Sequence, residues 1–447
     1  MTDVDVVVVG AGIAGLTAAH ELRRAGVDVL VLEERPHVGG RMHSFRHGGY
    51  VLDEGAEQVS PHSHRATWEL LARLGFSTAE VPRIGRPLAT WRDGRARPGL
   101  ATGRALLTGA GLGPRARADL ARLLAWTVRT GQLLDLDRPE RTPGGARTVA
   151  EFCRQYHPDL HDYLFQPLTG CFFGWSTARS AVAPVLCLLR AAGPADDWRT
   201  YRDGMDTLAR RLAEDLPVAL DTRVHQVVAD RDSARVVLDG RTLTARSVLL
   251  CLPAPVAAEL YVNPPAEERA FLNACTFTPV LKVSCLLERP LGIAGSSQPY
   301  ALLVPEVEDS VLSGIIVDHV KHPGRAPAGR GLLSLMADPR LVPDLLTAPK
   351  TEVVARLRHA ATRYVPGLSA AAQTNFVHAF RHALPEATPR ALRLRAGFAA
   401  RPPGPVDYAG DWLALCPSSE AAVRSGARAA SRARARLAAP RLEESVV

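Results

Sequence analysis

The stretch VVVVGAGIAGLTAAHELRRAG, residues 6–26, limits the fold of this chain more than any other. Four valines lead into Gly10, and a helical pattern starts at Ile13 and closes at Gly26. A second β-branched run over 27–32 follows, so the segment predicts a βαβ unit. Gly10, Gly12 and Gly15 stand in GxGxxG order between strand and helix. Gly10 permits the tight turn, Gly12 lets backbone amides approach a pyrophosphate, and Gly15 lets the helix pack close to the sheet. The helix N-terminus, with Ile13 and Ala14 in its first turn, then faces phosphate charge. Glu33 ends the second strand, where a carboxylate accepts hydrogen bonds from a ribose diol and repels a 2′-phosphate.

A chain of 447 residues is too long for one simple core and predicts at least two lobes. Strand–helix alternation at both ends around a mixed middle gives an α/β class. It predicts a Rossmann-like nucleotide domain built from separated segments plus a mixed-sheet and helical substrate domain. The expected boundaries are 1–60, 203–265 and 396–447 for the first, and 61–202 and 266–395 for the second. Further helices are expected over 64–75, 103–130, 149–168, 181–192, 351–364 and 419–437. A hairpin is expected at Asp93-Gly94.

The net charge of +8 comes from arginines scattered among Ala, Gly, Leu and Pro, with no basic run interleaved with aromatics. That pattern reads as a solvated basic surface, not a nucleic-acid site. The seven cysteines form no CxxC and no zinc spacing, so free thiols in a reducing compartment are expected. The histidines of RMHSFRHGG and SPHSHRA lack metal-ligand spacing, so no metal is expected. An acidic N-terminus and the lack of a long unbroken apolar run predict a cytoplasmic protein without a transmembrane segment. A homodimer is left open.

The stretch EERPHVGGRMHSFRHGGYVLDEGAEQV carries a family pattern. It resembles the FAD-dependent amine oxidase superfamily, which includes monoamine oxidases, protoporphyrinogen oxidases and phytoene-desaturase-like enzymes. The resemblance implies noncovalent FAD. Glu33, Glu34 and Arg35 end the second strand, and Gly39, Gly40 and Arg41 form the Gly-Gly-Arg that lies against the pyrophosphate. Gly55 and Ala56 pass by the isoalloxazine ring. YRDGMDTLARRLAEDL is similar to a further family segment, with Asp203 in place of its first glycine. Val224 matches the adenine-contacting strand. In DYAGDWLALCPSSEAAVRSG, Asp411 matches a residue near the ribityl and phosphate part. Glu420, Ala421, Ala422 and Val423 match a helix start facing the pyrimidine end, with Ala421 where the family has glycine.

Flavin chemistry needs few acid–base residues, because the cofactor itself takes a hydride at N5. Lys282, in TPVLKVSCLLERPL, matches the family lysine that holds a water near N5 and is linked to oxygen reactivity. The alternative is an edge lysine in solvent. Glu57 follows the Gly55-Ala56 segment and reads as a general base, a holder of a cationic substrate, or a structural ion pair. Phe380 and His382 match the segment lining the substrate side. Ser418 stands where monoamine oxidases carry an aromatic residue, which implies a substrate larger, flatter or more apolar than a small amine. Cys416 does not match the family's attachment cysteine. These features predict an FAD-dependent oxidoreductase that oxidises a carbon beside nitrogen in a bulky metabolite, with O2 as final acceptor. The alternatives are C–C dehydrogenation of a porphyrinogen- or polyene-like substrate, and a flavin-binding partner protein without turnover.

Overall fold

A computed structural model describes residues 2–99, 111–295 and 298–438. Two seven-stranded sheets and a small hairpin organise the chain. In the first sheet, Val4–Val9 lies between Val29–Leu32 and Arg241–Leu250, all parallel. Val218–Ala219 extends one side, and Val406–Tyr408 pairs parallel with Arg241–Leu250. An antiparallel meander, Gln226–Ala229 and Ala234–Leu238, completes it. Val6 and Val8 enter one core cluster and Val7 and Val9 another, so the strand is buried on both faces. That double burial is why the run is continuously apolar. The helix Ile13–Arg24 covers one face and packs against the last helix, Ser419–Ala438. The two approach so closely that a Cβ at Gly426 would overlap the Ala14 carbonyl oxygen.

The second sheet runs in the order Ala372–Pro385, Phe277–Leu287, Gly331–Ala337, Leu312–Val317, Ala301–Leu303, Leu88–Arg92, Arg95–Pro98. In Phe277–Leu287 the residues alternate. Leu281, Val283, Cys285 and Leu287 enter the sheet's own core. Lys282, Ser284 and Leu286 face the other way, where Leu286 meets Tyr50 and Leu52 of the hairpin Ser44–His47/Tyr50–Asp53. The alternation therefore delivers Lys282 to the end of that hairpin.

Several expected elements are placed differently. The helix expected over 149–168 is divided into Val149–Cys153, Pro158–Leu160, a π turn at His161–Phe165, and Gln166–Phe173. Pro158 lacks the amide needed to continue the first piece, and it starts the second instead. The helix expected over 103–130 is Pro114–Arg129; residues 103–110 lie outside the described residues. Asp93 and Gly94 both have positive φ, 54° and 73°, as a two-residue hairpin turn requires. The seven cysteines are unpaired. Among the described residues, no helix is long and apolar enough to cross a membrane.

Candidate active site

The glycine turn sits where the first sheet meets the first helix. Gly10 has φ +102°, and its N–H donates to Leu32 O at 2.8 Å. A Cβ at Gly15 would overlap the Gly10 carbonyl oxygen and press on Cys251 and Val8 at 3.1 Å. Gly15 is thus required by the protein's own packing. Gly12 differs: its φ is −74°, and nothing lies within 4 Å of an added Cβ. Neither backbone nor neighbours demand glycine there. No side chain caps the helix that follows, so its first amides are left for an anion. An open cradle at an uncapped N-terminus fits a diphosphate.

The segments expected around this cradle converge on it. Gly39 N–H donates to Ala11 O at 2.9 Å, and a Cβ at Gly40 would lie 3.5 Å from Gly12. The Glu33 carboxylate accepts from Ala11 N–H at 2.8 Å and Arg35 N–H at 3.0 Å. Glu34 is exposed. Thr222 N–H donates to Glu33 O at 2.8 Å, which brings the chain before Val224 alongside. Val224 is buried. Arg41 makes a bidentate pair with Asp411 at 2.7 and 2.8 Å and also donates to Ala383 O at 2.7 Å. Ala56 N–H donates to Arg41 O at 3.0 Å, and Gly55 lies against the Phe380 ring. Arg35 stacks over that ring at 5.6 Å, while His382 packs on Phe277.

Two residues of the C-terminal segment have structural duties that their expected roles leave out. Ser418 is expected to line the substrate side. Its Oγ also accepts from Ala421 N–H at 3.2 Å and caps the last helix. Glu420 is buried, and its carboxylate accepts from Ala66 N–H at 3.0 Å and Thr67 N–H at 2.8 Å. Its side chain therefore caps the helix Arg65–Arg73. Ala421, Ala422 and Val423 remain in the first turn of the last helix. Burial pushes the Cys416 thiol up to about 12, which leaves little thiolate for covalent attachment.

The helix capped by Glu420 also carries a pH-sensitive histidine at its start. His64 Nδ1 accepts from Ser60 N–H at 3.2 Å, and burial pushes the ring down to about 4. The unfolded chain binds that proton below its ordinary value of about 6.5, whereas the folded chain refuses it. Stability from this site is therefore lost as pH falls from about 6.5 to about 4, by roughly 1–3 kcal/mol. His64→Asn keeps an acceptor without the titration. Its melting temperature is expected to fall less steeply across that window than the parent's, in thermal melts at stepped pH.

A buried charge cluster lies beside Gly55-Ala56. Lys282 is fully buried, in register with His378 and Met336 on the neighbouring strands. A solvent-edge position is thereby excluded. Its Nζ donates to Glu57 Oε1 at 2.5 Å and to Asp53 O. Sequence reading missed the other members. Lys321, on the short helix Asp318–Lys321, donates to Glu57 Oε2, to Asp53 Oδ2 at 3.0 Å and to Asp318 Oδ1 at 3.1 Å. Arg325 reaches Asp53 Oδ2 at 3.0 Å. Ser44 Oγ and Met205 N–H donate to Asp53 Oδ1 at 2.6 and 2.9 Å. Three carboxylates thus meet three cations. Burial pushes the Asp53 carboxyl up, but Arg325 and Lys321 hold it well below the usual range. Burial pushes Lys321 down, and Glu57, Asp53 and Asp318 more than reverse it. Asp53, Glu57 and Asp318 are close enough to hold a cation, and the Lys321 ammonium takes that place. Next to them, Glu54 lies between His43 at 3.2 Å and His378 at 3.8 Å.

The comparisons with known proteins follow this geometry. The family described as flavin containing amine oxidoreductase matches residues 13–434. Coproporphyrinogen III oxidase of Propionibacterium freudenreichii is 24% identical, over 78% of this chain and 75% of that one. Flavin-containing amine oxidase A of Sus scrofa is 40% identical, but over 21% of this chain and 18% of that protein. This chain likewise spans only 19% of a Mycobacterium tuberculosis relative matched at 48% identity. The solved structure of cyclohexylamine oxidase from Brevibacterium oxydans superposes with a TM-score of 0.79, at 18% identity, over 97% of this chain and 99% of that one. The match runs from the first turn of the first helix into the last helix, the two elements that close on the glycine cradle. The chain belongs to the flavin-containing amine oxidoreductase family, and it is an FAD-dependent oxidoreductase.

Proposed function

We propose that this enzyme oxidises a carbon next to nitrogen in a bulky metabolite and passes the electrons to O2. The observation that carries the reading is the buried Lys282–Glu57 pair directly after Gly55-Ala56. A lysine is expensive to bury, and here the Glu57 carboxylate and the Asp53 carbonyl both bind its ammonium. FAD, when bound, supplies the two-electron chemistry. The chain's own residues bind, orient and move protons. The amides after Gly12 take the diphosphate, Glu33 accepts from the ribose, and the Val224 backbone meets the adenine. Residues 1–60, 203–265 and 396–447 form the FAD domain, with 61–202 and 266–395 over the substrate. Phe380 and His382 line the substrate side, and Glu54 offers a carboxylate to a cationic amine.

A second reading, C–C dehydrogenation of a porphyrinogen- or polyene-like substrate, is favoured by Ser418. As a helix cap it supplies no aromatic wall for a small amine. The likeness to coproporphyrinogen III oxidase over three quarters of both chains points the same way. Product analysis separates the two: an imine or its hydrolysis products in the first, an added C=C bond in the second.

The test of the first reading needs no known substrate. The flavin is reduced by light without air and then mixed with oxygenated buffer. Lys282→Met is expected to slow reoxidation by about a hundredfold, while reduction by a substrate, once found, changes little. Equal reoxidation rates in variant and parent would remove Lys282 from the reaction.

A further inference from the structure

The Glu57 carboxylate is divided between two lysines. Oε1 takes a proton donor from Lys282 and Oε2 one from Lys321. The commitments of the two lysines differ. Lys321 has three N–H donors and three acceptors, on Glu57, Asp53 and Asp318. Asp318 is held in turn by Ser334 Oγ at 2.8 Å. Lys321 is therefore fully spent and locked. Lys282 has a single charged partner, Glu57, and its other protein bond goes to the Asp53 carbonyl.

We infer that Lys321 is a positioning residue for oxygen reduction. By holding Oε2, it fixes Glu57 as a bridge, and the bridge orients Lys282 as the proton donor. In this step O2 gains two electrons and two protons and becomes hydrogen peroxide. With FAD bound and reduced, the cofactor would supply the electrons and one proton. The second proton comes from Lys282: one N–H bond breaks, one O–H bond forms, and solvent restores the proton. Glu57, whose side chain is 10% exposed, is the member of the ion pair open to that exchange. The Glu57 charge also acts on Cys171, Tyr300 and His378. Burial pushes the Cys171 thiol up to about 12, raises the Tyr300 phenol and lowers His378. Near neutral pH these shifts leave the thiol and phenol protonated and His378 uncharged. The inference rests on the reading of Lys282 proposed above.

The test uses light-reduced holoenzyme mixed with oxygenated buffer across a pH series, with Lys282→Met, Lys321→Gln and Lys321→Arg in parallel. Lys321→Gln is expected to reoxidise about tenfold more slowly than the parent and to give a pH profile of different shape. Lys321→Arg, which returns a cation to Oε2, recovers most of the rate. If Lys321→Gln does not yield yellow, folded protein, Glu57→Gln is read in its place, with the same two changes expected. If Lys282→Met slows reoxidation but Lys321→Gln, or its substitute, keeps the parent's rate and pH profile, the inference falls and the role of Lys282 stands. If Lys282→Met itself reoxidises like the parent, both fall.

Discussion

Lys321→Met is expected to destabilise the folded protein by about 3–5 kcal/mol. The ammonium is fully buried, and three carboxylates converge on it. Methionine fills most of the volume but leaves Asp53, Glu57 and Asp318 facing one another, with Lys282 and Arg325 alone to balance them. Removing one partner of a buried ionic group costs far more than the group contributes when complete, because the charges left behind stay desolvated. The loss is read as a lower melting temperature and an earlier urea midpoint. Adding Asp318→Asn to Lys321→Met removes one orphaned charge and is expected to recover part of the loss. A melting temperature within about 1 °C of the parent in the single variant would mean that the cluster is not held together by Lys321. The pH dependence has a fixed sign. Asp53 titrates below its unfolded value, so its contribution is present above that value and fades in acid. Lys321 titrates above its unfolded value, so its contribution is whole at neutral pH and fades only in strong alkali.

Gly15→Ala is expected to be nearly as costly, about 3 kcal/mol or more. The added methyl meets the Gly10 carbonyl oxygen, which is backbone and cannot swing aside. Relief requires moving the helix Ile13–Arg24 off the strand Val4–Val9, which opens a core where Val6, Val8 and Leu16 are fully buried. The last helix rests on the same surface, so it moves too. Gly12→Ala is the matched control. Its methyl meets no protein atom and its φ suits alanine, so the fold is expected to melt as the parent does without cofactor. Its flavin occupancy is expected to drop. Loss of folding in Gly12→Ala, or unaltered folding in Gly15→Ala, would contradict this division of labour between the two glycines.

The βαβ start, Glu33, the Gly-Gly-Arg and the position of Lys282 were legible in the sequence, because each is carried by local spacing: a strand run, a turn, a helix period. The charge cluster was not. Its members, Asp53 with Glu57, Lys282, and Asp318 with Lys321 and Arg325, come from three stretches that only the tertiary fold brings together, and spacing holds no record of that convergence. The alternation in Phe277–Leu287 told which neighbours share a face with Lys282, but not what that face meets. The strand Ala372–Pro385 was missed because it runs along the sheet's edge, where exposed polar residues such as Gln373 and Thr374 dilute the apolar alternation. The strand Gly331–Ala337 was missed for the opposite reason: almost wholly buried, it reads as an apolar run without a period. Ser418 and Glu420 were read through a resemblance, although a serine just before a helix is also the ordinary chemistry of a cap. The cap is what the geometry records.

The claim underlying this account is that one noncovalent FAD reaches from the Gly12 cradle to the Gly55-Ala56 segment. The most direct measurement is the flavin content of the purified chain before and after denaturation. The expected result is a yellow protein with one FAD per chain, released whole into the supernatant when the protein is precipitated by heat or acid. A colourless protein that takes up no added FAD and gains no thermal stability from it would contradict the claim, as would flavin that stays with the precipitated chain.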